Sequence, residues 1–291
     1  MADEVIGGYR LVRCMMTGQS SQVWECVEIT SHRHFAMKLL LPEKAKQPIQ
    51  RKLLMHEAAV GKEMTHPNVI RIHNVGNDKE HCYYVMEFFP AGSLKTRLNM
   101  RQFDFIRERA HSIFKQAAIG LAYITASGWV HRDVKPDNLL VNSAGDLRII
   151  DFALAQRIQT SSMFSRMIRR LRGKQQVQGT KSYMSPEQIR GEPLDGRADI
   201  YSFGASCYEL VTHRQVFRGQ TSQDLLQKHI SEKPVSPQYY NPDLTDECAN
   251  LILRMLAKKR EERPQTFHDV LMALNQLRVY KSDPVKQASG E

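Results

Sequence analysis

The chain has 291 residues, enough for one large domain or two lobes, and its 42% hydrophobic and 25% charged content is that of a globular protein. No apolar run approaches the roughly 18 residues of a membrane span, and the acidic start Met1-Ala2-Asp3-Glu4-Val5 has no signal-peptide pattern, so a cytoplasmic protein is expected. The net charge of +10 raises nucleic acid and anionic membrane as partners, but neither aromatic-rich strands nor Cys/His fingers accompany it, and no nucleic acid is expected.

Tyr9 to Cys14, Val23 to Ile29 and His34 to Leu41 alternate or run apolar with β-branched and aromatic residues, and predict three strands. Gln47 to Met64 predicts a helix, with Leu53, Leu54, Ala58 and Val60 among its apolar positions. Val69 to Val75 and Tyr83 to Glu87 predict two further strands. Phe105 to Ser127 predicts a long amphipathic helix with Ile113, Phe114, Ala117, Leu121 and Ile124 on one face, ended by Gly128. Leu139-Leu140-Val141 and Leu147-Arg148-Ile149-Ile150 flank the turn-rich Asn142-Ser143-Ala144-Gly145-Asp146 and predict a hairpin. A buried helix opens at Asp199-Ile200-Tyr201-Ser202-Phe203-Gly204, and helical segments follow near 222–230, 244–257 and 265–278. The tail from Lys281 to Glu291 is polar. Cys14, Cys26, Cys82, Cys207 and Cys248 are scattered without metal-ligand spacing and read as reduced thiols.

Residues 131 to 153 carry the chemistry. His131-Arg132-Asp133-Val134-Lys135-Pro136-Asp137-Asn138 places an Asp, a Lys and an Asn in one tight loop, and the hairpin returns Asp151 beside Asn138. A carboxylate and an amide oxygen brought together suit Mg²⁺, a hard cation that keeps phosphate oxygens as partners. Asp133, not needed for the metal, is left to accept a proton, which makes this a phosphoryl-transfer site.

The stretch resembles the catalytic and metal-binding loops of eukaryotic-type Ser/Thr protein kinases, with Asp151-Phe152-Ala153 in place of Asp-Phe-Gly. Gly179-Thr180-Lys181-Ser182-Tyr183-Met184-Ser185-Pro186-Glu187 is similar to a second block of that family, and Ser185-Pro186-Glu187-Gln188-Ile189-Arg190-Gly191 looks most like its bacterial members. The resemblance covers residues 9 to 278 and implies an α+β, two-lobed fold: a small β-sheet lobe with one helix, and a large, mainly helical lobe. The kinase domain would span 1–278, with the small lobe near 9–86, the hinge near 87–94 and the large lobe near 95–278; 279–291 would be a tail.

The resemblance also implies roles, with ATP and Mg²⁺ as cofactors and Mn²⁺ as an alternative ion. Asp133 would be the base or orienter of the acceptor hydroxyl. Lys135 would touch the γ-phosphate, Thr180 would brace Asp133 and Lys135, and Asn138 and Asp151 would hold the metal. Met16-Thr17-Gly18-Gln19-Ser20-Ser21-Gln22-Val23 aligns with the phosphate-covering loop, but only Gly18 of its three glycines is present, with Met16 and Ser21 at the other two positions. Lys38, in Phe35-Ala36-Met37-Lys38, lies fifteen residues after Val23, ends an apolar strand, and needs an anion; Glu57 and phosphate would supply it. Backbone N–H and C=O of Glu87 and Phe89 would pair with adenine, Met86 would be the gatekeeper, Ala36 and Leu140 would sandwich the ring, and Ser93 would face the ribose. Buried Glu187 would pair with Arg263, and Asp199 would hold the catalytic-loop backbone.

Departures from the family pattern leave a second reading open. Gly61 stands where a Leu or Met usually completes a stack with Ile72, His131 and Phe152, leaving a gap for Met64, Met86 or a partner to fill, and Ala153 replaces a hinge glycine. Together with Met16 and Ser21 these would suit a pseudokinase, a nucleotide-binding scaffold or allosteric partner; intact Lys38, Glu57, Asp133, Asn138 and Asp151 favour an active Ser/Thr kinase acting on protein substrates and on itself. Between Asp151 and Glu187 lie Arg157, Arg166, Arg169, Arg170, Arg172, Lys174 and Lys181 and no acidic residue. Met163 to Arg172 reads either as a short basic amphipathic helix for an acidic partner or membrane surface, or as a solvated loop. The family's usual phosphosite position falls on Gln176, and the nearest hydroxyls upstream are Ser165, Ser162, Ser161 and Thr160. Oligomeric state is not legible.

Overall fold

The computed structural model describes residues 3–158 and 179–284. The first layer is a six-stranded antiparallel sheet in the order β1-β2-β3-β4-β6-β5, made of β1 Val5–Ile6, β2 Tyr9–Thr17, β3 Ser21–Glu28, β4 His34–Leu40, β5 Ile72–Asn77 and β6 Cys82–Glu87. Its register explains the two-faced sequence pattern. Val23 and Tyr84 are Cα partners of Lys38, and Met86 is the partner of Ala36, so these residues share one face. The alternate residues Phe35, Met37, Leu39, Tyr83 and Val85 pack with Leu11, Trp24 and Cys26 on the other. A short helix, α1 Pro42–Ala45, leads to α2 Pro48–Lys62, which starts with Pro at its first position and packs Leu54 and Ala58 against Leu40, Ile72 and Tyr84.

The second lobe begins with β7 Gly92–Ser93 and α3 Leu94–Asn99, whose N-cap Ser93 accepts from the Thr96 N–H. α4 Phe103–Ala126 follows, buried along the apolar stripe from Ile106 to Ile124. It ends where Gly128 takes φ +82°, a conformation that favours glycine. β8 Trp129–Val130, β9 Leu139–Val141, β10 Leu147–Ile149 and β11 Gln156–Arg157 form two small sheets, β10-β9-β7 and β11-β8. Then come α5 Pro186–Ile189, α6 Gly196–Thr212, α7 Ser222–Ser231, α8 Asp246–Met255 and α9 Phe267–Gln276. Every residue of α6 from Ala198 on is buried, which makes it the axis of the lobe.

Several boundaries differ from the sequence reading. The first long strand runs past Cys14 to Thr17, through register shifts at Leu11/Arg13 and Cys14/Met16. The strand expected from Val69 starts at Ile72, and Val69 makes only an isolated bridge to Ile149. The buried helix starts at Gly196, capped by the Asp195 carboxylate, upstream of Asp199.

Candidate active site

The shared face of β4 and β6 turns Lys38 toward α2. Its Nζ lies 2.8 Å from both Glu57 carboxylate oxygens, with the side chains only 18% and 3% exposed. Burial acts against the ammonium, but the carboxylates of Glu57 and then Asp151 outweigh it and hold Lys38 above its ordinary range. The Tyr84 hydroxyl also donates to Glu57, to Oε1 at 2.8 Å. That contact was not foreseen, because a tyrosine in an apolar strand reads as core.

Asp199, buried at the start of α6, accepts from the His131 N–H at 2.7 Å and the Arg132 N–H at 2.8 Å. This fixes the turn in which Arg132 has φ +69°. Asp133 then sits in a closed network. Lys135 Nζ donates to Asp133 Oδ2 at 2.7 Å and to Thr180 Oγ1 at 2.6 Å, while the Thr180 N–H donates to Asp133 Oδ1 at 3.1 Å. Asn138 Nδ2 donates to the Asp133 carbonyl at 2.8 Å and to Oδ2 at 3.2 Å. With its nitrogen committed, Asn138 has its amide oxygen to offer a cation.

The β9–β10 hairpin closes as expected, and the Ile150 N–H donates to the Asn138 carbonyl at 3.0 Å, which brings Asp151 alongside. Burial pushes the Asp151 carboxyl up, but Lys38, His131, the Ala153 N–H and Lys135 together hold it below its ordinary range. Asp151 is therefore the ionised oxygen donor and Asn138 the neutral one, a pair that fits Mg²⁺. Among the described residues no group of three His, Cys, Asp or Glu side chains converges, so phosphate and water would complete the coordination. Ala153 is not among the residues of positive φ, so alanine fits its backbone.

A cleft of about 510 Å³ opens between the lobes. Met16, Val23, Ala36, Lys38, Glu57, Met86, Glu87, Phe89, Ser93, Lys135, Asn138, Leu140 and Asp151 all line it, and so do Met15, Lys95 and Thr96. Gly18 does not: it lies at the tip of the β2–β3 hairpin, where its N–H donates to the Ser21 carbonyl at 2.9 Å. Asp133 and Thr180 stand behind Lys135 rather than in the lining. The hinge expectation needs one correction. The Glu87 N–H already donates to the Arg71 carbonyl at 2.9 Å, so Glu87 has only its carbonyl to offer a base. The Glu87 side chain is paired with Arg148 Nε at 2.8 Å, and the Arg148 guanidinium covers the Phe89 ring at 4.7 Å.

The gap expected at Gly61 is closed. A Cβ placed there would lie 2.4 Å from Ile72 Cδ1 and 3.4 Å from Phe152 Cδ2, because those side chains occupy the space themselves. Neither Met64, Met86 nor a partner is needed. His56 adds a second tie from α2, its Nε2 lying 2.9 Å from the Ala155 carbonyl, and Glu63 adds a third, accepting from Arg157 at 2.7 Å and from the Trp129 indole at 3.2 Å.

Glu187 and Arg263 meet in a buried fork at 2.7 and 2.9 Å. Glu209 of α6 accepts from Lys95 Nζ at 2.7 Å and from the Tyr183 hydroxyl, a link between the cleft lip and the segment after Thr180 that was not foreseen. Thr160, Ser161, Ser162, Ser165, Gln176 and the basic run Arg166, Arg169, Arg170, Arg172 and Lys174 lie outside the described residues. Among the described residues no helix is long and apolar enough to cross a membrane.

The family model for the protein kinase domain matches residues 9–274. A probable serine/threonine-protein kinase of Clostridium perfringens is 30% identical over 293 residues, covering 98% of this chain and 40% of its own. One of Streptomyces coelicolor is 29% identical over 264 residues, 89% of this chain and 38% of its own. The serine/threonine-protein kinase PknB of Mycobacterium leprae is 28% identical over 280 residues, 95% and 43%. The chain thus spans about two fifths of the length of these curated relatives.

Proposed function

The chain belongs to the protein kinase family, and we propose that it transfers the γ-phosphoryl group of ATP to serine and threonine hydroxyls of proteins, itself included. The observation that carries this is the closed network of Asp133, Lys135, Thr180 and Asn138 beside Asp151. Asp133 presents a carboxylate to the acceptor hydroxyl, orients it and takes its proton. The hydroxyl oxygen bonds to the γ-phosphorus as the bond to the bridging oxygen of ADP breaks. Lys135, anchored to both Asp133 and Thr180, sets its charge where the γ-phosphate oxygens gather charge. Lys38, held by Glu57, does the same for the α- and β-phosphates. Ala36, Leu140 and Met86 enclose the base, with the Glu87 carbonyl and the Phe89 N–H at its edge and Ser93 near the ribose. Met16 and Val23 roof the phosphates, and the Gly18 turn, outside the cleft lining, joins their two strands. Asn138 and Asp151 would hold Mg²⁺, or Mn²⁺ in its place, which neutralises phosphate charge when bound.

In this reading residues 1–278 act as one catalytic domain in the cytoplasm, but the expected tail does not start at 279: Val279 and Tyr280 are buried in the core of the large lobe and Tyr280 bridges to Leu244. The basic residues between 157 and 181 serve an acidic partner or a membrane surface. The test is transfer of label from Mg-ATP to the protein and to a generic protein substrate. Wild type incorporates label, and Asp133→Asn falls by about a hundredfold or more, the range of general-base loss. Nucleotide binding without transfer in the wild type would instead support a scaffold.

A further inference from the structure

Tyr84 is a buried residue of the cleft lining whose hydroxyl has no part in the chemistry above. It stands on β6 directly beside Lys38 in the register, and Lys38 Nζ lies 5.8 Å from its ring centroid. Only 3% of the residue is exposed. Its hydroxyl donates to Glu57 Oε1 at 2.8 Å, so that oxygen takes two donors, Tyr84 and Lys38, while Oε2 takes Lys38 alone.

The arrangement has a geometric consequence. A carboxylate tied only to a lysine can turn with it, because both are ends of jointed side chains. A phenol is rigid beyond its ring and is fixed here by strand pairing to Lys38 and Val75. It pins one carboxylate oxygen to the sheet. When Lys38 shares its protons with phosphate, Glu57 retains a donor and stays in place. The other ties of this helix, His56 to the Ala155 carbonyl and Glu63 to Arg157 and Trp129, hold its far side, and neither touches the Glu57 carboxylate.

We propose that Tyr84 is a positioning residue for phosphoryl transfer: its hydroxyl fixes the Glu57 carboxylate and, through it, the Lys38 ammonium that meets the ATP phosphates. This rests on the kinase reading of the site.

The test is a double-mutant cycle of Tyr84→Phe and Glu57→Ala, read by transfer kinetics and by Mg-ATP affinity from calorimetric titration, with thermal melting of each protein. Tyr84→Phe keeps the buried ring and removes one oxygen. The expected result is a near-native melt, a raised KM for ATP and a kcat/KM lowered about ten- to a hundredfold, the range for a hydrogen bond to a charged group. Both substitutions together cost no more than Glu57→Ala alone, since the hydroxyl acts only through that carboxylate. Losses that simply add, unchanged kinetics in Tyr84→Phe, or a Tyr84→Phe protein that fails to fold would each overturn the proposal, the last by assigning the hydroxyl to the fold. If the wild type binds Mg-ATP without transferring it, the affinity arm reads the same cycle. If it binds none, the kinase reading fails and the proposal falls with it.

Discussion

Arg263 shows how much one side chain can hold when it has no access to water. Its side chain is 0% exposed, and besides Glu187 it donates to the carbonyls of Ala257, Lys258 and Arg197. Removing it leaves the Glu187 charge buried and unpaired, so Arg263→Ala should lose about 3–5 kcal/mol of stability in urea unfolding. Arg263→Lys should recover little, because an ammonium cannot form the fork. His229 makes a pH prediction. It is fully buried, with Tyr201 at 2.9 Å and Lys258 donating to its carbonyl at 3.0 Å. Burial and then the Lys258 charge lower its pKa from 6.5 to about 3. Between those values the unfolded chain binds a proton that the folded chain refuses. Its contribution to stability is therefore complete above the ordinary value of 6.5 and is lost as pH falls from there toward 3. The unfolding free energy from urea curves should fall as pH drops below the ordinary value of 6.5, by at most about 1.4 kcal/mol per pH unit from this group, and His229→Gln should flatten the slope. At this scale the sequence was legible where spacing sets proximity: Asp133, Lys135, Asn138 and Asp151 were expected in one cluster, and the structure brings them together. It was silent where a contact is made across distant segments by an ordinary-looking residue. Nothing in Cys82-Tyr83-Tyr84-Val85 says which tyrosine turns to Glu57, because one residue of register decides it.

Helix α2 is the element on which sequence and structure part most clearly. Its length follows from apolar spacing, and Leu54, Ala58 and Val60 are buried as expected while Leu53 is exposed, but the gap inferred at Gly61 assumed that neighbours stay where a larger residue would put them. Ile72 is long and flexible enough to fill it. Gly61→Leu should therefore destabilise the protein by about 1–3 kcal/mol through overpacking, and Ile72→Ala added to it should restore most of that loss. A thermal melt of the single and double variants checks both. The elements left unread are short ones. α1, α3, β7, β8 and β11 have no periodicity to detect, and the two-residue strands exist only because a partner strand is there.

The two lobes meet around the cleft, and ligand binding should be felt by the whole chain. Mg-ATP at about a hundredfold over its Kd should add about 2.7 kcal/mol, and a domain of this size should melt several degrees higher. Asp151→Asn should remove the part of that shift that depends on Mg²⁺, and leave the part that nucleotide gives in chelator. The fold class was legible at this scale because its markers are spread from Val23 to Arg263 in the order and spacing of one family. The link from Lys95 through Glu209 to Tyr183 was not, since its members are separated by 114 and 26 residues and carry no pattern.

Asp151 has φ +71° and Arg132 has φ +69°, so two of the chemically charged positions are also left-handed ones. Aspartate and asparagine visit that region with little penalty, whereas an ordinary side chain pays about 1–2 kcal/mol there. The choice of substitution thus decides what a dead enzyme means. An inactive Asp151→Ala protein confounds a missing ligand with a turn that has relaxed away from the hairpin, while an inactive Asp151→Asn protein reports the lost charge alone. The genetic code offers the same distinction to natural variation: a single-base change to asparagine at this codon would remove the charge and spare the backbone.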